Sequence, residues 1–347
     1  MKKATVLFCF FCLFVTSVYC TGLLLQSAAL GVSLPVQAKG TVQSAPKAAK
    51  PAQSSAPTAA SSAAPKPQSS APASSAQTAA APETALGKVF TKTIPASSAT
   101  VAYNRVYLKN STTKKVNIKA LLSAENAVKI EKNKGPSVLI VHTHTSESYL
   151  LQERDYYTKN DAARTTDDAK NVVAVGEVLK QTLEKGGVGV VHATEKHDYP
   201  EYTGSYNRAA ATIKKYLKQY PSIKIVIDLH RDSVSDAQNN KTALVKEVAG
   251  TKAAQVMLVC GCQDGEVSGF EGWQKNLQLA VKLQQTTEVL YPGLTRPILL
   301  TARRYNLNLT PGSLLLEFGT EANTLTQAKY SAELVGKALV SVINTLK

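Results

Sequence analysis

Acidic residues are scarce in this chain of 347 residues, which has 25 Asp and Glu against 40 Lys and Arg and a formal net charge of +15. Six of the basic residues and one acidic residue precede residue 86. The rest of the chain therefore has 34 Lys and Arg against 24 Asp and Glu, a net charge of +10. A basic surface favours a polyanionic partner. Nucleic acid, anionic lipid and the anionic wall of a Gram-positive cell all fit, and charge alone does not choose among them.

Charge is absent from residues 4–38, which follow Lys2 and Lys3. The most apolar part, residues 4–25, is long enough to span a bilayer, which takes about 20 residues. Val36-Gln37-Ala38 offers a possible signal-peptidase site. We therefore predict that residues 1–38 are a membrane anchor or a signal segment, with an anchor favoured. The positive N-terminus would stay inside, and the rest of the chain would lie outside the cell membrane or be secreted.

Apolar bulk is missing from residues 39–85, which are almost entirely Ala, Ser, Pro, Gln, Thr and Lys. Such a composition buries too little surface to fold. We predict a disordered linker that holds a catalytic head away from the membrane.

From residue 86 the composition becomes globular, with a small leading subregion over 86–135 and a main domain over 136–347. Apolar runs typical of strands alternate with amphipathic runs typical of helices. This alternation predicts an α/β fold with a mainly parallel sheet and flanking helices. The expected strands cover 138–142, 188–192, 223–228, 254–260, 297–301 and 313–318, and the expected helices cover 171–185, 206–220, 270–291 and 326–346.

Cysteine is rare, with five in the chain, and only Cys260 and Cys262 lie outside the N-terminal segment. Two residues that are two apart on a strand are poorly placed for a disulfide. A C-x-C pair without a second pair also argues against a cysteine-rich zinc site. We expect buried, unreactive thiols. The chain also lacks the local motifs of serine hydrolases, P-loop and dinucleotide-binding proteins, and H-E-x-x-H metalloproteases.

Ionisable side chains follow three of the expected strands. VLIV leads into His142-Thr143-His144, IVIDL leads into His230, and SLLL leads into Glu317. The carboxyl ends of parallel strands meet at one edge of a sheet, where α/β proteins place their sites. Histidine and carboxylate are zinc ligands, and a further carboxylate can act as a base. Asp228 and Asp232 share a strand face with His230 and could orient its ring.

The segment VLIVHTHTSESY resembles the stage II sporulation protein P family, peptidoglycan hydrolases of endospore formers. The resemblance continues in order through RTTDDAKNVVAVGEVLKQTLEKGG, HDYPEYTGSYNRA, YPSIKIVIDLHRDS and PGSLLLEFGTEANT. It implies a fold similar to zinc N-acetylmuramoyl-L-alanine amidases. It further implies cleavage of the amide between N-acetylmuramic acid and L-alanine, with possible endopeptidase action on crosslinks, and partnership with stage II sporulation proteins D and M during engulfment.

The resemblance also implies roles for single residues. The family's functional histidines match His142 and His230, and its functional glutamate matches Glu317, expected as the general base. In the wider amidases a zinc-binding Glu precedes, by four residues, an Asn that opens a helix. Here Asp167 stands four residues before Asn171, so Asp167 is expected as the third zinc ligand, with His144 and Glu147 as rivals. The alternative function is a wall-binding scaffold without catalysis, and export disfavours a nucleic-acid partner.

Overall fold

The computed structural model describes residue 82, residues 84–131 and residues 133–346, which belong to one compact unit, Ser75–Lys347. The expected anchor and nearly all of the expected linker lie outside the described residues. None of the helices in the described ranges is long and apolar enough to cross a membrane.

Twelve strands and five α-helices make up the described chain. The strands are β1 (Ala85–Lys92), β2 (Val101–Tyr103), β3 (Val106–Asn110), β4 (Val138–Val141), β5 (Tyr156–Thr158), β6 (Val190–His192), β7 (Ile225–Asp232), β8 (Lys241–Val248), β9 (Thr251–Ala254), β10 (Val256–Gly261), β11 (Ile298–Thr301) and β12 (Gly312–Thr320). The helices are α1 (Ile118–Ser123), α2 (Val172–Lys185), α3 (Ser205–Gln219), α4 (Trp273–Leu290) and α5 (Leu325–Ile343), and short 3-10 turns cover Ala96–Ser98 and Leu307–Leu309.

The central sheet has the order β2-β3-β11-β10-β12-β7-β4-β6. It is a mixed sheet, so the expectation of a mainly parallel sheet was wrong. The strands β12, β7, β4 and β6 run parallel to one another, but β12 runs antiparallel to β10. The reversal has a physical cause. β11 ends at Thr301 and β12 begins at Gly312, so the connection contains no α-helix, whereas a parallel return needs a crossover of about a dozen residues or more, usually with a helix.

A second, smaller sheet has the order β5-β1-β8-β9 and is also mixed. It lies beside the carboxyl end of β12, where the Thr320 hydroxyl donates to the carbonyl of Thr242 on β8 at 2.7 Å. The segment 86–135 contributes to both sheets, because it supplies β1 to the small sheet and β2 and β3 to the large one.

Helices cover both faces of the central sheet. On one face α2 packs against α5, and α5 packs against α4. The α2–α5 contact is close, since a Cβ on Gly336 of α5 would come 2.8 Å from the Thr182 side chain of α2. On the other face, Ile213 of α3 packs with residues of β4 and β7, namely Leu139, Val141 and Val226. The sheet is therefore buried on both sides, which explains its continuous apolar strands.

Candidate metal centre and active site

Three side chains meet beyond the carboxyl ends of β4 and β7. His144 and Glu147 lie in the turn after β4, and His230 lies on β7. His144 Nδ1 is 3.2 Å from Glu147 Oε1, and His230 Nδ1 is 3.4 Å from Glu147 Oε2. Within the described ranges, these three form the one group whose ligand atoms all lie within 4.8 Å of one another. The structure thus places His230 together with His144 and Glu147 at this edge of the sheet.

Buried hydrogen bonds hold the turn after β4 in place. The Thr143 amide and hydroxyl donate to the Asp228 carboxylate at 2.8 and 2.6 Å. The Ser146 hydroxyl donates to Asp198 at 2.6 Å. The Arg231 amide donates to Glu147 Oε2 at 3.1 Å. Because these bonds fix the backbone on both sides of His144, the metal-binding geometry does not depend on His144 and Glu147 alone.

Asp228 lies behind His230, with Oδ1 2.9 Å from His230 Nε2. Despite this short distance, Nε2 is buried and is not assigned a hydrogen bond with the described residues. Burial works against charge on His230, but Asp228 and Glu147 outweigh it and hold the pKa of His230 well above its usual range. Burial raises the pKa of Glu147, but its hydrogen bonds with His144 and His230 hold that pKa well below its usual range. Asp232, by contrast, pairs with Arg296 at 2.7 Å.

Glu317 lies beside His230 on the neighbouring strand, in direct register. Neighbouring strands are about 4.8 Å apart, so the two side chains leave the same face of the sheet side by side. Glu317 is partly exposed to solvent, but its Oε2 atom is buried and has no hydrogen-bond partner in the described chain. Burial raises the pKa of Glu317 to about 8, with a further rise from Asp232 and an opposing effect of His230. A carboxyl group of this kind suits proton transfer near neutral pH.

His142 does not join this group. Its Nδ1 lies 2.9 Å from the carbonyl of Leu229, and its Nε2 lies 2.9 Å from His192 Nε2. Its ring packs under α2, where a Cβ on Gly176 would come 2.9 Å from His142 Nε2. The physical reason is that β4 ends at Val141, so the strand alternation that would put His142 and His144 on one face stops between them. Burial lowers the pKa of His142 to about 3, and His192 lowers it further.

Asp167 also lies outside the group. Its side chain is 43% exposed and pairs with Lys170 at 2.8 Å. Asn171 does open α2, as expected, and its side chain accepts from the Val173 amide. His197 is buried between the carbonyl of His142 at 2.7 Å and the Thr212 hydroxyl at 2.8 Å, which is a structural role. The expected set of His142, His230 and Asp167 is thus not brought together, whereas the rivals His144 and Glu147 are.

The donor set fits zinc. Two imidazoles and one carboxylate are a known ligand set of catalytic zinc sites. The two imidazole nitrogens lie 3.2 and 3.4 Å from the two oxygens of the Glu147 carboxylate, so the three side chains are close enough to share one ion. The unpartnered Nε2 of His230 next to Asp228 matches a carboxylate that orients a metal-bound histidine ring. Glu147, Asp228 and Glu317 bring three carboxyl groups to this site, which also favours a cation there.

Aromatic and basic side chains form the rim. The Tyr202 ring stacks on His144 with centroids 4.8 Å apart, and the Arg164 guanidinium lies 4.8 Å from the centre of the Tyr202 ring. Tyr206 meets the edge of His144 at 5.6 Å. Sequence reasoning missed these three residues. They lie in the segments RTTDDAKN and HDYPEYTGSYNRA, which already carried the family resemblance.

The comparisons with known proteins agree with that resemblance. The family model for stage II sporulation protein P matches residues 43–340. Stage II sporulation protein P of Bacillus subtilis (strain 168) is 31% identical over 206 residues, which are 56% of this chain and 48% of the relative. The match thus spans about half the length of that relative.

Solved structures show a weaker likeness. The chain is similar to the N-acetylmuramoyl-L-alanine amidase AmiC2 of Nostoc punctiforme, with 14% identity, a TM-score of 0.36, and coverage of 62% of this chain and 98% of that one. It is also similar to the CwlD amidase of Clostridioides difficile, with 11% identity, a TM-score of 0.38, and coverage of 61% and 100%. These values do not assign an activity. The family match covers most of the sequence, and this chain therefore belongs to the stage II sporulation protein P family.

Proposed function

We propose that this protein is a zinc-dependent peptidoglycan hydrolase of sporulation, with His144, Glu147 and His230 as the metal ligands. The observation that carries the proposal is the spacing of these three donors beside the partly buried carboxyl group of Glu317. The family membership supports the substrate and the setting in sporulation. This ligand set replaces the expected one, because His142 is engaged on the other face of the sheet and Asp167 is exposed.

Zinc bound by these residues would supply a Lewis acid that polarises the amide carbonyl and makes water a better nucleophile. Glu317 accepts the proton from the attacking water as the new C–O bond forms, since its raised pKa makes it a suitable base. It then returns this proton to the amide nitrogen as the C–N bond breaks. Asp228 holds the ring of His230, and Arg164, 3.7 Å from Glu147 Oε1, compensates part of the negative charge.

The bond we propose is the amide between N-acetylmuramic acid and L-alanine, with action on peptide crosslinks as a second activity. Mass analysis of the fragments released from purified sacculi tests the choice. Sugar strands free of peptide indicate the amidase. Shortened or uncrosslinked stem peptides still attached to sugar indicate the endopeptidase. Sacculi that bind the protein and release nothing indicate the non-catalytic scaffold.

The ligand set has its own test, which compares two variants that remove one carboxylate each. Glu147→Gln should lose most of the zinc of the wild-type protein, because the ligand charge disappears from the centre of the group. Asp167→Asn should keep about one zinc per chain, because its exposed side chain contacts Lys170 and the Ala169 amide, which lie outside the site. Metal content after dialysis measures both. Zinc loss from Asp167→Asn with retention in Glu147→Gln would restore the ligand set expected from the sequence.

Membrane attachment and partners are also proposals. The apolar residues 4–25 would anchor the chain, and residues 39–85 would tether the catalytic domain outside the membrane. Stage II sporulation proteins D and M are the proposed partners in engulfment, by family resemblance. Co-purification of tagged protein with D and M from sporulating membranes tests the partnership, and recovery of a soluble form that starts near Lys39 would contradict the anchor.

A further inference from the structure

Tyr206 has a hydroxyl group that no described residue uses. The residue lies in the first turn of α3 and is largely buried. Its ring is held between the edge of His144 at 5.6 Å and the ring of Tyr305 at 5.8 Å. Its carbonyl accepts from the Asn306 side chain at 2.8 Å, which fixes its backbone. Its hydroxyl, however, makes no hydrogen bond with the described chain, unlike that of Tyr216 on the same helix, which donates to Glu195 at 3.2 Å.

Tyr206 lies at the site itself, because its ring contacts the ring of His144 with centroids 5.6 Å apart. Burial raises the pKa of Tyr206, and the negative charges of Asp228, Glu317 and Glu147 raise it further. All three carboxylates belong to the centre described above, so the phenol lies within their electrostatic reach. A tyrosine phenol, whose ordinary pKa is about 10, is protonated at neutral pH. It can therefore donate a hydrogen bond but cannot act as a base.

We propose that Tyr206 is a catalytic residue whose hydroxyl donates a hydrogen bond to the carbonyl oxygen of the bond that is cut. The inference rests on the proposed function, since it assigns a further role in the same site. When water adds to the carbonyl carbon, the electrons of the C=O double bond move to oxygen. Glu317 takes the water proton, and the Tyr206 O–H stabilises the new negative oxygen without giving up its proton. The electrons return as C–N breaks, and nitrogen receives the proton from Glu317.

The arrangement meets the requirement for such a donor. Donors that stabilise an oxyanion must be fixed before the reaction, and the two ring contacts and the Asn306 bond hold Tyr206 in place. The donor must also be free of competing partners, and in the described chain Tyr206 bonds the Asn306 side chain through its carbonyl while its hydroxyl makes no hydrogen bond. Removal of one such donor typically lowers kcat by about 10²–10³-fold.

The test compares Tyr206→Phe with Tyr216→Phe in the full-length protein. The first change removes only the hydroxyl and keeps the ring that packs on His144. The second change removes the Tyr216 hydroxyl, which lies on the same helix and donates to the carboxylate of Glu195 outside the site. Wild type and Glu317→Gln serve as the active and inactive references. Each protein is measured for zinc content, thermal melting, and the rate of fragment release over a range of sacculus concentrations.

We expect Tyr206→Phe to keep its zinc and its melting temperature and to lose about 10²-fold or more in kcat, with little change in the sacculus concentration that gives half the maximal rate. Tyr216→Phe should match wild type. A Tyr206→Phe variant with wild-type kcat overturns the inference alone. Loss of zinc from this variant also overturns it, because the hydroxyl would then support the metal site. If wild type releases nothing, the proposed function itself has failed.

Discussion

At the scale of single residues, the site depends on Glu317 as a proton acceptor. Glu317→Gln keeps the shape of the side chain and removes the capacity to accept a proton. Because a general base contributes typically about 10²–10⁴-fold, release of fragments from sacculi should fall at least about a hundredfold. Zinc content should not change, since Glu317 is not among the three proposed ligands. Loss of zinc would instead make Glu317 a ligand, and near-normal turnover would remove it from the mechanism.

Glu317→Gln should also change how the stability of the folded protein depends on pH. Burial raises the pKa of Glu317 to about 8 in the folded, metal-free protein, whereas the ordinary pKa of a glutamate is 4.5. Between these values the folded state holds a proton that the unfolded state has lost, so stability falls as pH rises, by at most about 1.4 kcal/mol per pH unit. Glu317→Gln removes this penalty. With EDTA present to remove metal, Glu317→Gln should have a higher melting temperature than wild type at pH 8. This difference in melting temperature should become smaller towards pH 5. A difference in melting temperature that grows as pH falls would contradict the raised pKa of Glu317.

The two described cysteines allow a further check at this scale. Cys260 and Cys262 are free and fully buried, which confirms the expectation of buried thiols without a disulfide. Burial, together with the neighbouring Cys262, raises the pKa of the Cys260 thiol to about 12. Because the thiolate is the reactive form, iodoacetamide at pH 8 should leave both residues unmodified in the native protein and alkylate both after denaturation. Peptide mapping measures this, and rapid native labelling of Cys260 would show that β10 is more accessible than described.

At the scale of elements, the contact between α2 and the sheet depends on Gly176. A Cβ at this position would come 2.7 Å from His192 Nε2 and 2.9 Å from His142. Alanine is favoured over glycine in a helix by about 1 kcal/mol, but here the clash with two buried rings outweighs this gain. Gly176→Ala should therefore lower the free energy of unfolding by roughly 1–3 kcal/mol. Gly272→Ala is the matched control, because no atom lies within 4 Å of its added Cβ. Equal melting temperatures for the two variants would contradict the packing.

Most elements of the central sheet and its helices followed from hydrophobic periodicity. The strands β4, β7, β10, β11 and β12 and the helices α2 to α5 lie within a few residues of the predicted ranges. The small sheet was not predicted, since β8 and β9 mix apolar and charged residues without a clear period. Strand direction was also missed, because pairing is decided by contacts between residues far apart in sequence.

The candidate site could be predicted only in part for a similar reason. His230 and Glu317 lie on long, buried strands, so their approach follows from the α/β pattern. His144 and Glu147 lie beyond the end of β4, in a turn whose path depends on Asp228 and Asp198 from elsewhere in the chain. No periodicity continues through such a turn. The two histidines of His142-Thr143-His144 therefore diverge to opposite faces, which the sequence pattern alone does not reveal.

At the scale of the whole molecule, the proposed tether should affect reach and leave the chemistry unchanged. Residues 39–85 precede the compact unit except at their end, and the site is built entirely from residues 142 and beyond. Deletion of residues 45–80 should leave zinc content and turnover of soluble peptidoglycan fragments unchanged. It should weaken activity in sporulating cells, because a shorter tether limits access to the wall. Loss of activity on soluble fragments would show that these residues also support the catalytic domain.

The central claim is that a zinc centre of His144, Glu147 and His230 hydrolyses peptidoglycan. The most direct measurement is mass analysis of the material released from purified sacculi by zinc-loaded wild type, by the protein after removal of zinc with EDTA, and by His230→Ala. We expect muramyl strands and free stem peptides from wild type alone, with activity restored when zinc is returned to the wild-type protein. Equal release by His230→Ala, or by the zinc-free protein, would contradict it.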